Sequence, residues 1–120
     1  MSIYDSQKEH QMKDISFIAG TDYEIEFQFY VGVNPADVSN STCKWFLSEY
    51  GQPESVIYSA PCAIKTGTNN INTFTVTIPS DITKNLYGLY LHQIELRDVE
   101  DKTIRPAQGV INIIKAIPST

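Results

Sequence analysis

Cys43 and Cys62 are the only cysteines of this chain and His10 and His92 its only histidines. Any thiol, imidazole or transition-metal chemistry therefore has to be built from these side chains and the carboxylates near them. A zinc centre or an acid–base pair needs further ligands, or an orienting carboxylate, at a defined spacing, and the sequence offers no such set. His10 sits in a polar stretch and is expected in solvent. His92 is in phase with Tyr90, Ile94 and Leu96, which makes it a strand residue near the core edge rather than a ligand. Asp98, Glu100 and Asp101 lack the twelve-residue pattern and terminal Glu of a calcium loop and read as an acidic turn. Lys65-Thr66-Gly67-Thr68 lacks the glycine spacing of a phosphate loop, and no G-x-S-x-G or paired-carboxylate arrangement occurs. No catalytic residues, metal or cofactor are expected, and the chain reads as a non-enzyme.

The thiols pose a sharper question. Folding the chain about the Gly51-Gln52-Pro53-Glu54 break, with Tyr50 opposite Ser55, sets Trp45 opposite Ala60 and Cys43 opposite Cys62. Directly opposed residues hold their Cβ atoms about 4.5 to 5.5 Å apart, whereas a relaxed disulfide prefers about 3.8 Å. A bond there is strained. The start, Met1-Ser2-Ile3-Tyr4-Asp5, has neither a basic n-region nor an apolar h-region, so no export signal is read and the product is expected to stay where it is made. Two reduced thiols are the expectation.

The elements that place these residues are strands. Tyr23, Ile25, Phe27, Phe29 and Val31 occupy every second position, with Glu24, Glu26 and Gln28 between them, the pattern of a strand with one face in the core and one in water. The turn formers of 34–40 end it. Cys43, Trp45 and Leu47 share a face on the next strand, which pairs with 55–62 as a hairpin. After the turn cluster 65–70, Phe74, Val76 and Ile78 alternate with threonines. Pro79-Ser80-Asp81 stops that strand, and 81–86 fits one helical turn capped by Ser80 or Asp81. A long strand over 88–98, the acidic turn 99–102 and a last strand over 103–115 complete the series. No helical period is sustained, and turn signals recur about every ten residues. The fold class predicted is an all-β, immunoglobulin-like antiparallel β-sandwich of about seven strands. Trp45 is expected to be a core anchor, and Tyr90 after Gly88 a second one, as in a tyrosine corner.

The length of 120 residues fits one domain, assigned to 14–117, with a polar segment 1–13 and a tail 118–120. The net charge of −5, with no run of Lys or Arg, argues against nucleic acid and anionic membranes as partners. No apolar stretch near either end approaches the roughly 20 residues needed to span a bilayer.

A surface for protein contact is expected on the final hairpin. Pairing the strand after Gly88 with the strand after Lys102 sets Glu95 opposite Arg105, an ion pair suited to an exposed face, and puts Leu89 and Leu91 on that face. Leucines beside an ion pair suggest a covered patch. Ile111 and Ile113 enlarge it in simple register, although Pro106 and Gly109 invite a bulge that turns both inward. Two covers are open: a partner, or Ile3 and Tyr4 or the first strand folding back.

The order of motifs resembles one family, the immunoglobulin-like domain at the N-terminus of baseplate upper proteins of tailed bacteriophages, with the small virion proteins built from it. The resemblance covers residues 14–115. It rests on Gly20-Thr21-Asp22-Tyr23 opening an aromatic strand, on Pro35-Ala36-Asp37-Val38-Ser39-Asn40, and on Ile78-Pro79-Ser80-Asp81-Ile82-Thr83 through Gly88-Leu89-Tyr90 to Ile94-Glu95-Leu96-Arg97-Asp98. Gly109, Ile111 and Ile113 in the closing strand complete it. Asn40 stands where the family usually has Gly, and His92 where an aromatic is common. The resemblance implies a structural protein of a phage or prophage virion, in the tail, baseplate or head-to-tail region, made in the bacterial cytoplasm. Its partners would be other virion proteins or further copies of itself as a homo-oligomer. A soluble bacterial immunoglobulin-like module that binds a carbohydrate or peptide is the alternative.

Overall fold

The computed structural model describes residues 14–31, 33–65, 72–104 and 108–117. Strand β1 (Ile15–Ile18) turns through Gly20 into β2 (Tyr23–Gln28), where Ile25 and Phe27 are buried and the intervening acids are exposed, as period two requires. The alternating segment breaks after Gln28: the Phe29 N–H bonds to the Asn72 carbonyl, and β3 (Tyr30–Val31) pairs with β4 (Asn34–Pro35) as a small separate ribbon. Next come β5 (Thr42–Glu49), β6 (Gln52–Ile64), β7 (Thr73–Ile78), the short helix α1 (Ser80–Thr83), β8 (Gly88–Arg97), β9 (Thr103–Ile104) and β10 (Gln108–Ile114).

The hydrogen-bonded order is β1-β10-β8-β5-β6-β7-β2, with β9 beside β8. β6 is the corner. It pairs with β5 as far as Cys62 and then, from Ala63, with β7. One layer is thus β1, β10, β8, β5 and the start of β6, and the other is the end of β6, β7 and β2. Their inner faces meet: the ring of Phe27 on β2 lies 6.5 Å from His92 on β8. The fold is an immunoglobulin-like β-sandwich, antiparallel except where β1 joins β10 in parallel, Ile15 beside Ile111 through Ile18 beside Ile114.

Trp45 is fully buried, flanked by Ala60 on β6 and Ile94 on β8. The expected hairpin register holds for Cys43 with Cys62 and Trp45 with Ala60. It fails near the turn, where bulges set Ser48 against Val56 and Glu49 against Gln52. Tyr90 is not the buried anchor expected of it. It is half-buried at the core margin, and its hydroxyl donates to the Tyr87 carbonyl at 3.1 Å in an exposed position. The corner bond exists, without the burial.

The start of α1 is also built differently from expectation. Pro79 occupies the cap position and offers no side-chain acceptor, so Asp22, distant in sequence, accepts the Ser80 N–H at 2.6 Å. Thr83 Oγ1 accepts the Gly20 N–H at 2.9 Å, tying the β1–β2 turn to the helix. Gly20 takes φ +80°, a conformation that an L side chain rarely adopts. Because Asp22 does the work of a capping residue, Asp22→Ala is expected to cost about 0.5 to 2 kcal/mol, read from the urea midpoint.

Candidate interaction surface

The final hairpin changes register by one residue. Leu96 pairs with Ile104 and Arg97 with Thr103, but Gln93 pairs with Gln108, Gly109 with His92 and Ile111 with Tyr90. Three residues of the chain thus stand between Ile104 and Gln108 against two between Gln93 and Leu96, one more on the returning side. A shift of one residue exchanges the two faces of a strand. Ile111 and Ile113 accordingly lie in the core, essentially without exposure, and drop out of the proposed outward patch. Asn112 and Ile114 take the outward positions. Arg105, Pro106, Ile3, Tyr4 and His10 lie outside the described residues, so the Glu95–Arg105 pairing and the fold-back of Ile3 and Tyr4 do too.

Leu89 and Leu91 do face outward. Leu91 is half-buried between Ser48 and Val110, while Leu89 is 48% exposed beside Asn112. Around Leu89 the strands gather further apolar side chains. Ile114 (47%) lies level with Ile18 (53%) of β1. Tyr87 (66%) sits beneath the ammonium of Lys115, 5.5 Å from the ring centre. Tyr50 (55%) follows Glu49, the partner of Tyr90, at the start of the β5–β6 turn. One end of the outward face is therefore apolar, assembled from four separate strands or their flanks. Sequence reasoning missed Ile18 and Ile114, because the parallel β1–β10 pairing and the change of register bring them together, and it could not place the surface tyrosines Tyr50 and Tyr87 relative to each other.

The opposite end is charged. Lys44 pairs with Glu95 across β5 and β8 and holds its ammonium 5.4 Å from the Phe46 ring. Arg97 contacts Asp101 at 3.2 Å and Glu95 at 3.5 Å, and both raise its pKa above the ordinary guanidinium value. Thr42, Cys43, Lys44, Pro61, Glu95 and Arg97 line a shallow hollow of about 330 Å³ here.

Inside the sandwich, His92 is buried and Trp45 Nε1 donates to its Nδ1 at 3.1 Å, so that nitrogen carries no proton of its own. His92 lies deeper than the core-edge position expected. Its phase with Ile94 and Leu96 carried that signal. Among the described residues no three His, Cys, Asp or Glu side chains gather as a metal site would require.

No known protein-family pattern matches the chain, and no curated protein matches it in sequence. Solved structures do. CopC from Methylosinus trichosporium OB3b superposes with a TM-score of 0.54 at 10% identity, covering 99% of this chain and 98% of that one. The fibronectin(III)-like modules of Clostridium thermocellum CbhA give 0.45 at 13%, over 91% and 98%. The pullulanase SAP of group B Streptococcus, solved with maltotetraose, gives 0.48 at 11%, over 82% of this chain and 11% of that one. At these identities the likeness is one of fold. The CopC superposition, which spans nearly the whole of both chains, is in keeping with the sandwich derived from the strand order.

Proposed function

We propose that this domain is a non-enzymatic immunoglobulin-like binding module that takes a partner polypeptide on the apolar end of its outward face. One observation carries the reading: Leu89, Ile114, Ile18, Tyr87 and Tyr50 are all about half-exposed or more, with Leu89 on the outward side of β8 beside Asn112 and Ile114 level with Ile18. Scattered apolar residues are ordinary on a surface, but exposed aliphatic and tyrosine side chains gathered from neighbouring strands have the make-up of an interface centre. Aliphatic side chains flanked by tyrosines suit another protein, and a second copy of this chain is the partner that needs no other component. The motif order resembling phage baseplate domains supports setting that contact in a virion, among other virion proteins made in the bacterial cytoplasm.

The exposed Tyr50 and Tyr87 favour a second reading, a carbohydrate stacked on their rings with Asn112 nearby. One pair of variants separates the two. Leu89→Ser with Ile114→Ser should stay within about 0.5 kcal/mol of the parent stability and lose self-association in sedimentation velocity. Tyr50→Ala with Tyr87→Ala, if it abolishes glycan-array binding that the aliphatic variant keeps, would transfer the surface to a sugar. Unfolding of the aliphatic variant would remove the interface altogether, because those side chains would then belong to the domain's own core.

A further inference from the structure

The thiols remain unused by the surface just described. Cys43 and Cys62 are directly opposed on β5 and β6, both unbonded, with Cys43 buried and Cys62 half-exposed. They stand at the last rung of the β5–β6 ladder, immediately before β6 crosses to β7 at Ala63. We propose that Cys43 and Cys62 form a reversible dithiol–disulfide couple, oxidised by low-molecular-weight disulfides, that clamps the corner where β6 passes from one layer of the sandwich to the other.

The two thiols have unequal parts. Cys62 is the one solvent reaches, so its thiolate attacks the external disulfide. One external sulfur bonds to Cys62 and the other leaves as a thiolate, which takes up a proton. Cys43 cannot begin the reaction. A hydrogen bond shared with Cys62, then burial, then the nearby Cys62 and Glu95 charges raise its pKa well above the ordinary thiol range. Once Cys62 is in the mixed disulfide, the shared thiol–thiol hydrogen bond, the largest of those causes, is gone. Cys43 then loses its proton to solvent and attacks Cys62 Sγ, the second external thiolate leaves, and the protein has surrendered two electrons and two protons to one external disulfide.

Geometry also makes the bond reversible. Opposed strand positions hold Cβ atoms about 4.5 to 5.5 Å apart, more than the roughly 3.8 Å of a relaxed disulfide. Closing the bond draws the strands together at the corner, and strained disulfides are the easily reduced ones. The couple is therefore a labile clamp rather than a permanent staple.

The test treats the folded, reduced protein with glutathione disulfide and follows intact mass and thiol titre. The wild type should pass from two free thiols to none, with a mass lower by about 2 Da and no retained glutathione, and a peptide map should join Cys43 to Cys62. Excess reduced glutathione should restore both thiols. Cys43→Ala should stop at a stable glutathione adduct on Cys62, and Cys62→Ala should remain unmodified while folded. A persistent adduct on the wild type, a dimer linked between chains, or no reaction would each overturn the proposal. A bond that resists excess reduced glutathione would overturn its reversibility.

Discussion

Trp45→Ala is expected to lower the unfolding free energy by about 3 to 5 kcal/mol, the range for truncating a fully buried large aromatic. A domain of this kind has roughly 5 to 15 kcal/mol in all, so the variant stands near the edge of folding. The size follows from position. Trp45 is on the central strand β5, with Ala60 on one side and Ile94 on the other, and Tyr58 meets its ring edge-on with centroids 6.4 Å apart. Truncation opens a cavity between layers held together elsewhere by β-branched and aromatic side chains that cannot collapse into it. It also takes the indole donor from His92 Nδ1. Trp45→Phe removes the indole N–H while leaving a smaller cavity than Ala does, and should cost about 1 to 3 kcal/mol. Because Trp45 is the chain's only tryptophan, both variants have to be followed by circular dichroism in urea. A midpoint for Trp45→Ala equal to that of the parent would mean the sandwich is not packed around this residue.

Strand phase was legible in the sequence wherever side chains alternate. Ile25 and Phe27, Cys43, Trp45 and Leu47, and Ile94 and Leu96 are buried as their spacing requires. The pairing of Cys43 with Cys62 was legible too, since counting outward from a turn fixes partners until a bulge intervenes. Three features were not. The depth of His92 is hidden because its polarity argues for an edge, while Trp45, 47 positions away, donates to it inside. The cap of α1 is hidden because the acceptor, Asp22, comes from 58 positions earlier. The composition of the apolar surface is hidden because it depends on long-range pairing. Ile18 reaches Ile114 only through a parallel edge strand, a contact that local patterning does not encode.

The last feature decides the second large effect. Had the register of Leu96 with Ile104 continued, Leu89 would face Ile111, and both Ile111 and Ile113 would lie outside with the leucines. The extra residue sets Ile111 beside Tyr90 instead, and a one-residue slip moves every later side chain to the other face. Ile111→Ala and Ile113→Ala are each expected to cost about 2 to 5 kcal/mol, as buried large-to-small changes do, whereas Leu89→Ala and Ile114→Ala should stay within about 0.5 kcal/mol. The contrast is diagnostic because Ile113 and Ile114 are neighbours of identical chemistry, one almost fully buried and the other 47% exposed. No difference of composition or helix propensity can separate them, and only the face on which each lands does. Urea denaturation of the four single variants measures it. Equal effects at 113 and 114, or a larger loss at Leu89 than at Ile111, would show that the hairpin keeps simple register in solution, and the apolar surface would then have to be redrawn around Ile111 and Ile113.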